Sequence, residues 1–240
     1  MTDRPLADRI ALVTGASRGI GAATAQALAA AGAHVILTGR TSGALEEVED
    51  AIYASGGSAT IAPIDLTESD AVARLADALA GRWDRLDILV LNAAMLGTLG
   101  AVATIDPKEF ARVMTLNVSA QAALLAAFDP MLRRAPQGRV IGLTSRVARS
   151  PRAYWGEYGA SKAAFEVLLA CYGQEVANIS RIRTAIIDPG ATRTAMRARA
   201  YPGEDPASVK PPEQVAARIV ALLAGDFESG YVERIEAVSA

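Results

Sequence analysis

The sequence predicts an α/β fold: a doubly wound parallel sheet of about seven strands with helices on both faces. Three observations point there. Short apolar, β-branched runs alternate with amphipathic helical stretches, the pattern of parallel strands joined by crossover helices. The runs are almost continuously apolar, as strands covered on both faces must be. The first of them passes directly into a glycine-rich turn and then into an alanine-rich helix.

In chain order, strands are expected at 10–14 (IALVT), 34–38 (HVILT), 58–63 (SATIAP), 87–92 (DILVLN), 138–144 (GRVIGLT), 181–188 (RIRTAIID) and 230–235. Between 21 and 31, GAATAQALAAA is dense in the strongest helix former, and Gly32 follows as its C-terminal signal. Leu45, Val48 and Ile52 mark the apolar face of the next helix, and Val72, Leu75, Ala76 and Leu79 that of the one after. Asp106-Pro107-Lys108-Glu109 supplies an N-cap, a proline at the first helical position and a glutamate three residues after the cap, so a helix starts there. Pro130 is read as its stop. The irregular stretch 191–212, ATRTAMRARAYPGEDPASVKPP, has the length and composition of a functional loop or lid. No repeat and no low-complexity linker interrupts the pattern, so residues 1–240 read as one domain.

Composition narrows the chemistry. Hydrophobic residues at 51% and charged residues at 21% suit a compact chain with a real core. No stretch reaches the near-twenty apolar residues of a membrane span, and MTDRPLADRI lacks a signal peptide's apolar run, so the expected location is the cytoplasm. With 24 basic against 26 acidic residues, no general attraction to nucleic acid or anionic membrane is implied. Cys171 is the sole cysteine, read as a buried packing thiol, and His34 the sole histidine, read as facing solvent. A disulfide and a multi-cysteine or histidine-rich metal site are thereby excluded, and a Ser-His-Asp triad would have to use that one ring.

The turn TGASRGIG, 14–21, joins the first strand to the first helix with Gly15, Gly19 and Gly21. Glycines there let backbone amides approach a phosphate, and the helix N-terminus adds about half a positive charge. The spacing differs from G-x-G-x-x-G. The second strand ends in Arg40 rather than an acidic residue, and Arg18 can approach the same point; two guanidiniums suit a 2′-phosphate by charge and fork geometry.

At the other end, Tyr158 precedes Lys162 by one helical turn in YGASK. A phenol with a pKa of about 10 is a poor proton shuttle at neutral pH, but a nearby ammonium favours the phenolate and lowers that value. Ser145 follows the strand GRVIGLT, at a sheet end where open α/β folds bind ligands. Asn117 falls on the helix face of Phe110, Met114 and Leu124; a buried amide needs polar partners, which makes it a structural plug or part of a proton relay.

With these pieces in order the chain resembles the short-chain dehydrogenase/reductase (SDR) family over nearly its whole length, in a single-domain Rossmann-type fold. The matching pieces are TGASRGIG, Asp65, Asn92-Ala93, Asn117, Ser145, Tyr158 with Lys162, and Pro189-Gly190. Tyr154, with no lysine four residues on, is set aside. The resemblance implies an NADP(H)-dependent oxidoreductase interconverting a carbonyl and a secondary alcohol of a small molecule. Tyr158 would be the proton donor or acceptor, Lys162 would lower its pKa and hold the nicotinamide ribose, Ser145 would orient the substrate oxygen, and Asn117 would anchor a water leading from Lys162 to solvent. It implies cofactor contacts from Gly15, Ser17, Arg18, Gly19, Ile20, Gly21, Arg40, Asp65, Leu66, Asn92, Ala93, Tyr158, Lys162, Pro189, Gly190, Thr192 and Thr194. The cofactor half would span about 8–145, the catalytic half about 138–240 and the lid about 191–212.

Two departures stand out. Asn92-Ala93-Ala94 replaces the family's usual N-A-G, and GYVERIEAVSA replaces a C-terminal strand ending in Asp-Gly-Gly. The second puts a tetramer contact in doubt but leaves the small-residue helix faces 119–127 and 160–171, so a homodimer or homotetramer is expected. The substrate pocket would be walled by 93–100, 146–155 and the lid, with Met95, Leu96 and Trp155 apolar; Arg146, Arg149 and Arg152, clustered after Ser145, read as solvated, the alternative being that one of them clamps an acidic substrate. Alternative readings are a non-catalytic NADPH-sensing regulator and a dehydratase or epimerase of the same architecture.

Overall fold

The computed structural model describes residues 4–236. Seven strands, β1 (Ile10–Thr14), β2 (His34–Gly39), β3 (Ser58–Pro63), β4 (Ile88–Leu91), β5 (Arg139–Leu143), β6 (Arg183–Asp188) and β7 (Tyr231–Arg234), form one sheet. Every pairing is parallel, in the order β3-β2-β1-β4-β5-β6-β7. The side chains alternate as the pleat requires. Ala11 and Val13 of β1 join a core with Val35, Leu37, Ile88 and Val90 on one face. Leu12 joins Ile36, Leu89 and Leu91 on the other.

Helices cover both faces. The first core is closed by α1 (Gly19–Ala30), α2 (Ser42–Ala54) and, later in the chain, the helix Pro212–Ala224; the second by α3 (Ala71–Ala80) and the long helices after β4 and β5. The helix predicted at Asp106 is α4 (Pro107–Met114), with the Asp106 carboxylate accepting from Lys108 N–H at 3.0 Å. Glu109 does not close a capping box; it accepts from Thr98 Oγ1.

Several expectations are corrected. Pro130 does not stop a helix: it lies within α5 (Ala120–Arg134). Pro130 and Ala126, whose carbonyl loses its partner, both face solvent, while Phe128, Met131 and Leu132 pack on the second core and carry the helix through. Between α4 and α5 the chain widens into a π-helical turn, Thr115–Ser119, so 107–134 is one helical run. That run has the length and hydropathy of a membrane-crossing helix, against the expectation from sequence, but its apolar side is buried in the core. Cys171, on α6 (Gly156–Ala177), is exposed, because the packed face is carried by Phe165, Leu169 and Val176. His34 is half-buried, its ring nitrogens bonded to Ser58 Oγ and Thr60 Oγ1 across the β2–β3 pair. Burial, then the Arg82 charge, push its pKa down.

The remaining elements are α7 (Ala195–Ala200), inside the predicted lid, and α8 (Pro212–Ala224). The connections leaving β1 and β4 run to opposite faces of the sheet, which opens a crevice at their carboxyl ends.

Candidate active site

Six strand ends meet along that edge. The turn after β1 holds Gly15 at φ +65 and Gly19 at φ +57, in the left-handed region that disfavours other residues. Gly21 is needed for space, since a Cβ there would run into the Gly15 carbonyl oxygen and lie 2.6 Å from Asn92 Nδ2. Asn92, just after β4, fixes the turn by donating to Thr14 O at 2.8 Å and Gly15 O at 3.1 Å. Thr14 Oγ1 in return accepts from Asn92 N–H and Ala93 N–H.

The amino end of α1 has no side-chain cap and no acidic residue in its first turn, and Arg18 at the cap is exposed. Its N–H groups therefore face the crevice as unopposed donors, the arrangement an anion binds. Thr194, which caps α7, comes within 3.2 Å of a Cβ built on Gly19, so the lid lies across the glycine turn. A groove of about 470 Å³ runs between them, lined by Gly19, Arg193, Thr194 and Glu213 among others. Arg40 is exposed after β2, close enough to Asp65 to act on it. Burial alone would raise Asp65, but the Thr67 N–H and O–H outweigh it and, with Arg40 and Arg112, hold the carboxyl below its usual range. Ser17, Ile20, Asp65 and Ala93 are half-buried along this crevice and Leu66 is buried beneath it.

On the other side of β4, Lys162 is buried and donates from Nζ to Leu143 O at 2.7 Å, with the Tyr158 ring centroid 5.8 Å from Nζ. Burial pulls Lys162 down to about 8, against the opposing pull of Glu166. Tyr158 departs from expectation: burial, and then the Asp188 carboxylate, raise its pKa, so the phenol is held as a hydroxyl. Ser145, half-buried past β5, makes no cap hydrogen bond. Asn117 sits in the π-helical turn, accepting from Met95 N–H at 2.8 Å and donating to Met95 O and Ser161 Oγ at 2.9 Å. It thus ties the loop after β4 to the residue preceding Lys162. Thr192 is buried, donating to Pro189 O, and Gly190 takes φ +62. Tyr154 is 65% exposed, unlike the buried Tyr158.

The family model for short chain dehydrogenase matches residues 9–205. The chain belongs to the short-chain dehydrogenase family. An uncharacterized oxidoreductase, YciK, of Escherichia coli K12 is 38% identical over 92% of this chain and 88% of its own. A fatty acyl-CoA reductase of Acinetobacter baylyi is 36% identical over 78% of this chain and 64% of its own. A short chain dehydrogenase from Escherichia coli CFT073, solved with NADPH, superposes with a TM-score of 0.92 at 37% identity, covering 98% of this chain and 99% of its own.

Several residues around this crevice escaped the sequence reading. Glu166 is buried and bonded to both Thr144 and Arg149, so Arg149 is not merely solvated. Arg152 donates to Tyr201 Oη at 2.5 Å, and Tyr201 lies 5.7 Å from the Trp155 ring, itself edge-on to Tyr158 at 6.1 Å. Arg199 donates to Gly97 O across the crevice. Lys210, buried, donates to Ala191 O beneath the Pro189-Gly190 turn. The i,i+4 spacing of Glu166 from Lys162 was the one legible signal; the lid contacts of Arg152 and Arg199 join residues about 50 to 100 apart and carry none.

Proposed function

We propose that this protein is an NADP(H)-dependent oxidoreductase that interconverts a carbonyl and a secondary alcohol. The observation that carries the reading is the placement, on one crevice, of an uncapped glycine-turn helix beside a buried Tyr158–Lys162 pair. The residues present fit the cofactor. The unopposed N–H groups of Gly19, Ile20 and Gly21 suit its diphosphate, exposed Arg18 and Arg40 its 2′-phosphate, and Asp65 and Asn92 its adenosine side. When bound, the dinucleotide supplies or accepts the hydride at the carbonyl carbon.

The chain's own groups handle the proton. Tyr158, kept protonated by burial, donates its hydroxyl proton to the substrate oxygen in the reductive direction. Ser145, whose hydroxyl makes no cap bond, orients that oxygen. Lys162 holds positive charge beside the phenol at neutral pH and favours the phenolate left behind. Asn117 braces the π-helical turn against α6 and so fixes the base of this group. Two copies pair through α5 and α6, of which α6 exposes Val167 (62%), Leu168 and Cys171 and α5 exposes the small residues Ala123 and Ala126.

The test is a titration with NADPH and NADH at fixed salt, followed by tryptophan fluorescence. NADPH is expected to bind at least tenfold more tightly, a difference of about 1.4 kcal/mol, and Arg40→Ala to close most of that gap. Equal binding would remove the phosphate role of Arg18 and Arg40. Binding of neither would remove the glycine turn as a cofactor site and the reading with it.

A further inference from the structure

Glu166 is a buried carboxylate, 8% exposed, on the sheet-facing side of α6. An apolar residue would pack there without desolvating a charge, so its retention calls for a physical reason. Its two oxygens reach the chain on either side of Ser145. Oε1 accepts from Thr144 Oγ1 at 2.6 Å, and Oε2 accepts from Arg149 Nε at 2.6 Å. One turn earlier on the same helix, Lys162 Nζ holds Leu143 O. The segment 143–149 is therefore fixed to α6 at three points, with Ser145 between them.

The 3-10 turn Arg146–Ala148 adds to this. Its internal bonds run from Ala148 N–H to Ser145 O and from Arg149 N–H to Arg146 O, so the turn is short and closes on Ser145 itself. A turn this short has few bonds of its own, and here both its ends are anchored. Thr144 N–H anchors the entry on Ile187 O, and the exit is anchored by Arg149 on Glu166.

We propose that Glu166 is a positioning residue for the catalytic centre: it clamps the strand end and turn that present the Ser145 hydroxyl to the substrate oxygen. This rests on the reductase reading above. The arrangement explains the buried charge, since Arg149 and Lys162 compensate the carboxylate while it spans two segments that an apolar side chain could not join. Misplacing an orienting group by about 1 Å can cost on the order of 100-fold in rate.

The experiment is a double-mutant cycle in the full chain. Glu166→Gln is made alone and with Ser145→Ala, and turnover is measured with NADPH and 9,10-phenanthrenequinone as a general dicarbonyl probe. Glu166→Gln is expected to lower kcat by about 10- to 100-fold with NADPH affinity within about twofold of the parent, and to cost less than about threefold once Ser145 is gone. Arg149→Ala, which opens the same clamp from the exposed side, is expected to act in the same direction more weakly. An equal loss with and without Ser145, or an unchanged kcat, overturns the proposal. A Ser145→Ala variant with parental kcat overturns the catalytic reading as well, so the two failures are distinct. Should the parent leave the quinone unreduced, hydrogen exchange decides: the Ala148, Arg149 and Ser150 amides are expected to exchange about tenfold faster in Glu166→Gln, with α1 unaffected, and unchanged exchange overturns the clamp.

Discussion

On the β1 side of the crevice the site is made of backbone: two left-handed glycines, a third that leaves room for a carbonyl oxygen, and a helix end with no side-chain cap. On the β5–β6 side it is made of buried side chains that carry or lose charge. Lys162, Glu166 and Glu157 lie within ten residues on α6, and buried Lys210 underlies the turn after β6. Along the β1 end the buried polar groups include uncharged threonines such as Thr14 and Thr38, each bonded to a main-chain oxygen. Binding a dinucleotide requires shape and dipoles, which backbone supplies at small desolvation cost. Moving a proton requires groups whose charge can change, and burying them is expensive. The first region should thus fail when a methyl group is added and the second when a charge is altered.

The largest expected effect falls on the second region. Tyr158→Phe removes the transferable proton and little volume, so the carbonyl-reduction rate should drop by about 100- to 10,000-fold while NADPH affinity stays within about twofold. Pre-steady-state oxidation of bound NADPH by the fastest carbonyl found in a panel would measure it. A variant reducing that carbonyl at the parental rate would take Tyr158 out of the chemistry and erase the contrast between the two regions.

The first region is sharpened by Gly21→Ala. The new methyl meets the Gly15 carbonyl oxygen and Asn92 Nδ2, both fixed by the β1–β4 contacts, so it cannot be relieved by a rotamer change. NADPH affinity should fall more than tenfold and stability by about 1–3 kcal/mol. Gly43→Ala is the control: nothing lies within 4 Å of its Cβ, and in α2 it should stabilise slightly. Urea unfolding and cofactor titration on both variants read the difference. Equal, mild effects at the two glycines would mean that the turn is not held by shape.

The two regions also differed in how far the sequence disclosed them. Strand, glycine turn and helix are contiguous, so the β1 end was legible from spacing and apolar runs alone. Tyr158 and Lys162 lie one turn apart on α6 and Ser145 follows β5, as their spacing implied, whereas Asn117 is buried in a π-helical turn and not on the regular helix face read for it. What stayed hidden depended on long-range packing. Pro130 was taken for a stop because propensity weighs the missing N–H but not the packing of Phe128 and Met131. Cys171 was read as buried from apolar neighbours in sequence, whereas the helix turns Leu169 inward and Cys171 outward. The lowered Tyr158 pKa was inferred from a neighbouring ammonium; the depth of burial, which acts the other way and dominates, is not written in a four-residue spacing.

The smallest effect expected here is on stability, and it tests whether the second region is strained by its function. Lys162 is held at about 8 instead of the ordinary 10.5, so burial disfavours its ammonium by on the order of 3 kcal/mol. The folded-state value is depressed, so between about pH 8 and 10.5 the unfolded chain holds a proton that the folded chain has released, and stability rises with pH across that window. Below it the lysine is charged in both states and the penalty is constant. Lys162→Met removes the penalty but also leaves Leu143 O without its donor and Glu166 with Arg149 alone as a compensating charge, so the net gain at pH 7 should be about 1–2 kcal/mol. The variant should also lose part of the upward slope from pH 8 to 9.5, a range kept short of the Tyr158 titration, while Lys210, lowered by its own burial, contributes equally to both proteins. Urea unfolding of the cofactor-free protein at pH 7, 8 and 9.5 measures both quantities. A variant no more stable than its parent, with the same slope, would mean that the buried lysine is fully compensated where it stands, and that the two regions differ in chemistry but not in what they cost the fold.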